Sequence, residues 1–123
     1  MPLRLTLLGV ALVSCGCSVQ PRQPQRPAPV LGSDIPQCIE HMQSRVAPIY
    51  PIEAMRKDTT GWAVIAYDLD GSGKATNIRK VDAEPGDTFV GSAAGAIAAT
   101  QFKTGLVQSD CVAIYTYELE ILP

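Results

Sequence analysis

The pattern of apolar residues along this 123-residue chain predicts a small two-layer α+β domain, with one three-stranded antiparallel sheet and helices on one face. Three observations lead there. The stretches Trp62–Leu69 and Cys111–Ile121 alternate in the period-two manner of strands. Asp70-Gly71-Ser72-Gly73 has the composition of a hairpin turn between the first of these and a returning strand. Between the hairpin and the last strand, residues 88–101 repeat small and apolar side chains at helical spacing.

The N-terminus precedes that domain and differs from it. After Arg4, the run Leu5 to Val13 is apolar but shorter than the ~20 residues a membrane-spanning helix needs, and it has the length of a signal-peptide core. Leu12-Val13-Ser14-Cys15 resembles a bacterial lipobox, in which the cysteine is lipidated and becomes the first mature residue. The other reading is an ordinary secretory signal over residues 1–14, leaving Cys15 and Cys17 as free thiols. Gly16, standing where a retention signal carries Asp, favours the outer membrane by analogy. Acyl chains on one cysteine anchor stably, at about 0.8 kcal/mol per buried methylene.

Residues 15–34 form the lipidated cysteine and a linker, in which Gln20 to Pro29 offers four prolines and almost nothing to bury. At about 3.1 Å per residue such a tether reaches on the order of 50–60 Å. Removing residues 1–14 takes away one positive charge, so the formal charge moves from −2 to −3. No basic stripe supports nucleic-acid binding, because Arg56-Lys57 and Arg79-Lys80 are isolated pairs.

Residues 35–123 make the single folded domain. Ile35, Cys38, Ile39, Met42 and Val46 are spaced as one face of a short helix, stopped before Pro48 and Pro51. Pro51 to Lys57 reads as a second short helix, with proline in its first turn and basic residues in its last. Gly61 breaks to the strand Trp62–Leu69, whose Ala63, Ile65, Tyr67 and Leu69 share one face, while Trp62, Val64 and Ala66 make the other face apolar too. Trp62 is either core or an exposed aromatic anchor. The returning strand Lys74–Asp82 breaks phase, with Ala75 and Val81 on one face and Ile78 on the other, which predicts a bulge near Asn77. Asp87 is placed to N-cap the helix from Thr88 to Gln101. Its buried stripe is Phe89, Ala93, Ala96, Ile97 and Thr100, and Gly91, Ala94, Gly95 and Ala98 keep it slim against the sheet. In the last strand Ala113, Tyr115, Tyr117, Leu119 and Ile121 face in, and Thr116, Glu118 and Glu120 face out.

Candidate chemistry is sparse. Cys38 and Cys111, the thiols remaining beyond the N-terminal pair, are in an oxidising compartment either a disulfide or two buried free cysteines. A bond would close a loop of about 70 residues, contributing on the order of 4 kcal/mol in the chain-entropy description. His41 is the single histidine, too little for a zinc site or a catalytic triad with an oxyanion hole, and no enzyme activity is expected. Asp68-Leu69-Asp70-Gly71-Ser72-Gly73 opens like a calcium loop, but Arg79 stands where a bidentate Glu is required, so a hairpin turn is the expectation.

Five pieces in order resemble the C-terminal domain of TonB, over residues 45–122: Pro48-Ile49-Tyr50-Pro51-Ile52-Glu53-Ala54, then Gly61-Trp62-Ala63-Val64, the turn at Asp70–Gly73, Phe89 with Ala93, Ala94, Ala96 and Ile97, and Phe102. The resemblance, shared with the TolA-like domains, implies a periplasmic binding domain without cofactor, metal or catalytic residues. It implies that an extended peptide from an outer-membrane transporter or another envelope protein adds a strand beside the last strand, here Cys111–Ile121. Ile114, Thr116, Glu118 and Glu120 are the partner-binding residues so implied, the two glutamates also guarding the edge against random pairing. Tyr50-Pro51 packs at the domain entry in this pattern, where Tyr50 either meets a partner peptide or staples the N-terminal segment to the sheet. TonB also carries a transmembrane helix for energy transduction, where this chain has a lipobox-like segment. Two functions follow: a lipid-anchored peptide-binding module, or a structural subunit of an envelope assembly that uses the same edge for a fixed partner or a homodimer.

Overall fold

The computed structural model describes residues 23–119, so Cys15, Glu120 and Ile121 lie outside the described residues. Three long antiparallel elements form the sheet in the order β3-β2-β5, with β2 (Gly61–Asp70) in the centre, β3 (Ala75–Glu84) on one edge and β5 (Val107–Tyr117) on the other. The helices are α1 (Ile52–Arg56) and α2 (Val90–Ala99), and α2 lies against β2 and β3. Among the described residues a two-stranded ladder of β1 (Met42–Ser44) with β4 (Gln101–Phe102) and a 3-10 turn (Ile39–His41) complete the set. This is the two-layer α+β architecture that the apolar pattern predicts.

The core sits between α2 and the inner face of the sheet. Ala63, Ile65, Tyr67 and Leu69 are buried there, with Phe89, Ala93, Ala96 and Ile97 opposite and Thr100 closing the helix stripe. Phe89 stacks on Tyr117 with ring centroids 4.2 Å apart, and Tyr50 meets both rings edge-on. Gly61 is required by close approach: a Cβ at this position would collide with the Glu84 carbonyl and come within 2.8 Å of the Phe89 ring.

The hairpin turn follows Asp70 as expected. Asp70 accepts the Ser72 N–H, and Gly71 and Gly73 supply positive φ values of 94° and 86°. The bulge near Asn77 is present, with Asn77 at φ 49° and the register slipping between Ala66 and Asp68. A second slip between Val64 and Ile65 was not legible; it leaves Val81 unpaired and 57% exposed, where one face shared with Ala75 was expected. β3 also runs to Glu84 rather than stopping at Asp82.

Four expectations are corrected. No α-helix forms over 35–46: Cys38 adopts a left-handed φ of 58°, residues 39–41 make one 3-10 turn, and Met42 pairs with Phe102. Twelve residues of weak helical pattern are marginal alone, and here the cross-link and a strand ladder take them over. The Asp87 side chain pairs with Lys80 instead of capping, and α2 begins three residues later behind Phe89, with no side-chain cap. Gly91 and Gly95 face away from the sheet, since a Cβ on either would meet nothing within 4 Å. The final strand ends at Tyr117, so Glu118 follows it instead of lying in it, and the strand starts earlier, at Val107, after which a bulge places Asp110 at φ 58°.

Cys38 and Cys111 are bonded, closing 73 residues between the N-terminal segment and β5. The buried free-thiol alternative is thereby removed.

Candidate functional site

The outer edge of β5 is paired along only part of its length among the described residues. Successive residues of a strand send their N–H and C=O groups to opposite sides. Val112 donates its N–H away from β2, to the Pro36 carbonyl at 2.8 Å. The ladder with β2 runs without a slip from Cys111 to Tyr117, so Ile114 and Thr116 turn their backbone groups the same way. Among the described residues no backbone partner takes them. One end of the edge is therefore filled by the chain's own N-terminal segment, and the other end is open.

A groove follows that open stretch. One part, of about 240 Å³, lies between Leu31, Met42 and Arg45 on one side and Ala113, Ile114 and Tyr115 on the other. A second, of about 360 Å³, continues past Arg45, Ala47 and Pro48 to Thr116. Arg45, Ile114 and Tyr115 line both. The opposite edge, β3, differs: it is interrupted by two slips and carries Arg79, Lys80, Asp82 and Glu84.

The structure brings two of the sequence-chosen residues together here. Ile114 is half-buried in the groove wall and Thr116 is exposed at its end. Glu118 is exposed just past the strand. Tyr50 is elsewhere: its ring packs on Phe89 and Tyr117 at the inner face, and its hydroxyl donates to the Thr59 carbonyl. Burial, then the nearby Asp58 charge, pushes its phenol pKa up. Pro51 is half-buried at the start of α1. Arg45, Ala47 and Pro48 as groove residues escaped sequence reading, because nothing in their spacing marks them; only the fold lays 45–48 beside β5.

The remaining candidates have local explanations. Asp68 accepts from the Asp110 N–H at 2.9 Å, from the Asn77 amide at 3.0 Å and from Arg79, and these donors hold its carboxyl below the usual range. The calcium-like oxygens are thus taken up in bracing the hairpin. Among the described residues no group of three or more His, Cys, Asp or Glu is arranged to hold a metal. Trp62, left open between core and exposed anchor, is 2% exposed on the outer face of the sheet, under Arg26.

Comparison with known proteins agrees with this architecture. Residues 46–121 match the family described as Gram-negative bacterial TonB protein C-terminal. Protein TonB of Yersinia enterocolitica is 37% identical over 46 residues, covering 37% of this chain and 18% of that protein, so the chain matches less than a fifth of this relative's length. The solution structure of the Pseudomonas aeruginosa TonB C-terminal domain superposes with a TM-score of 0.55 at 17% identity, over 63% of this chain and 83% of that one. The TonB2 protein of Vibrio anguillarum superposes at 0.54 with 23% identity, over 80% and 98%. Those two likenesses speak to the fold, while the family match spans well over half of the chain. The protein belongs to the family of Gram-negative TonB C-terminal domains.

Proposed function

We propose that this protein is a periplasm-facing binding module that takes up an extended segment of an outer-membrane transporter or another envelope protein as an added strand beside β5. The observation that carries the reading is the pair of outward-turned, unpartnered backbones at Ile114 and Thr116, next to a groove wide enough for side chains of the incoming segment. Main-chain hydrogen bonds there supply affinity, and the groove wall of Arg45, Ala47 and Pro48 supplies selectivity. Tyr50 and Pro51 act indirectly, by holding the segment that forms the wall. Glu118, and Glu120 beyond it, bias the approach against acidic segments. Lipidation at Cys15 anchors the domain in the outer membrane, and the chain is a binding protein rather than an enzyme.

The test places a photo-crosslinking residue at Thr116 in living cells. Capture of the N-terminal segment of a transporter supports the reading, whereas stable capture of one envelope subunit, or of a second copy of this chain, moves the protein to a structural role. With the captured segment in hand, Thr116→Pro removes the outward N–H, and affinity falls about 10-fold, the equivalent of one hydrogen bond at the upper end of its usual worth. Unchanged affinity in that variant would rule out pairing at this edge.

A further inference from the structure

Among the described residues no helix covers the outer face of the sheet, yet Trp62, Val64 and Ala66 are 2%, 3% and 5% exposed. Part of the cover is the proline-rich segment, which crosses this face instead of standing off as a free spacer. Arg26 is its fixed point. The guanidinium lies 5.5 Å from the Trp62 ring centre, donates twice to Asp82 at 2.9 and 3.0 Å, and donates once to Glu84 at 2.9 Å. The Trp62 indole N–H returns a hydrogen bond to the Arg26 carbonyl at 2.9 Å.

These parts form a receptor. Asp82 and Glu84 stand opposite Val64 and Trp62 across the β2–β3 ladder, so both carboxylates share the outer face with the indole. The β2–β3 slip at Val81 comes directly before Asp82. A ring face, two carboxylates set for a planar fork and an indole N–H aimed at a backbone carbonyl together read an arginine and the carbonyl of the residue that bears it. Prolines at positions 24, 27 and 29 restrict that main chain on both sides of the bend at Gln25–Arg26.

We infer that Trp62, Asp82 and Glu84 are a binding site for an arginine in a proline-flanked segment, filled in this structure by the chain's own Arg26, and that emptying it widens the β5 groove. The second half rests on the peptide-binding reading above. It follows from continuity: five residues beyond Arg26, Leu31 forms part of the groove wall facing Ala113 and Ile114. Because Arg26 remains 57% exposed at its side chain, the contact is a latch that a competing arginine segment can replace.

Trp62 is the single tryptophan, so its emission reports the site alone. In the purified full chain, Arg26→Gln shifts emission to the red and raises acrylamide quenching about 3-fold, as loss of one exposed cation–π and ion-pair group should. A synthetic peptide spanning residues 23–30 then restores the protected emission at millimolar concentration, and the same peptide with Arg26→Gln does not. Asp82→Asn combined with Glu84→Gln mimics the exposed emission and abolishes the restoration. Unchanged quenching in Arg26→Gln, or restoration by both peptides alike, overturns the arginine site. Hydrogen exchange at the Val112 amide, which donates to the Pro36 carbonyl, rises in Arg26→Gln if the groove widens with the latch; an unchanged rate beside an exposed Trp62 overturns that link. None of these readouts uses a partner, so failure of crosslinking at Thr116 would leave them standing and count against the β5 reading alone.

Discussion

The two faces of the central sheet are covered by different chemistry. The inner face lies under α2, which follows β3 in the chain and, with Phe89 just before it, contributes Ala93, Ala96 and Ile97 to a continuous apolar core. The outer face is crossed by a segment from the other end of the chain, held by Arg26 through charge and one indole ring. Apolar packing scales with area removed from water and tolerates no gap, whereas an exposed ion pair is weak, screened by salt and exchangeable. The inner face therefore sets whether the domain folds, and the outer face can change state while the domain stays folded.

The largest test of that contrast is Phe89→Ala. Phe89 has no solvent exposure and stacks on Tyr117, so truncation removes about 3–5 kcal/mol, read as a fall in the urea midpoint, and leaves little margin in a domain of this size. An equal loss from Arg26→Gln would erase the distinction between the faces.

Alkali sharpens the contrast next. Burial, with smaller contributions from Tyr115 and Glu40, pushes the Tyr67 phenol up to about 12, and its hydroxyl donates to the Gln37 carbonyl at 3.0 Å. The folded state thus prefers the neutral phenol more than the unfolded chain does. That stability is complete below the unfolded value near 10 and is lost as pH rises from there to about 12, an effect on the order of 2–3 kcal/mol. Tyr115 and Tyr117, both raised chiefly by burial, act in the same direction. Denaturation curves at pH 9 and 11.5 should separate accordingly, and Tyr67→Phe should narrow the gap.

Acid acts on the other face and more gently. Side-chain hydrogen bonds from Arg26 hold the Asp82 carboxyl below its ordinary value. A depressed carboxylate stabilises the folded state above its unfolded pKa, near 4, and that contribution is lost as pH falls below it. Between pH 6 and 2.5, Trp62 quenching should rise before the near-ultraviolet signal of the inner tyrosines changes. Simultaneous loss of both signals would show that the faces unfold as one.

The central strand, the hairpin, the bulge near Asn77 and the buried stripe of α2 were legible because each is a local pattern: alternation, turn chemistry or helical spacing. The stripe was right residue for residue, while its N-cap was wrong, because Lys80 on β3 competes for Asp87. For the site, Ile114 and Thr116 were legible as outward positions of a last strand. The groove wall was not, since residues 45–48 reach β5 only through the chain's path.

What the sequence determined by itself is the set of elements whose periodicity outweighs their surroundings, and the two cysteines available to join. Tertiary structure decided that 35–46 is no helix, that the cysteines meet, that β5 is half filled and half open, and that Arg26 lies on Trp62. Each of these depends on partners 36 to 76 residues away, and a local pattern carries no information about which distant group will compete for a backbone or a charge.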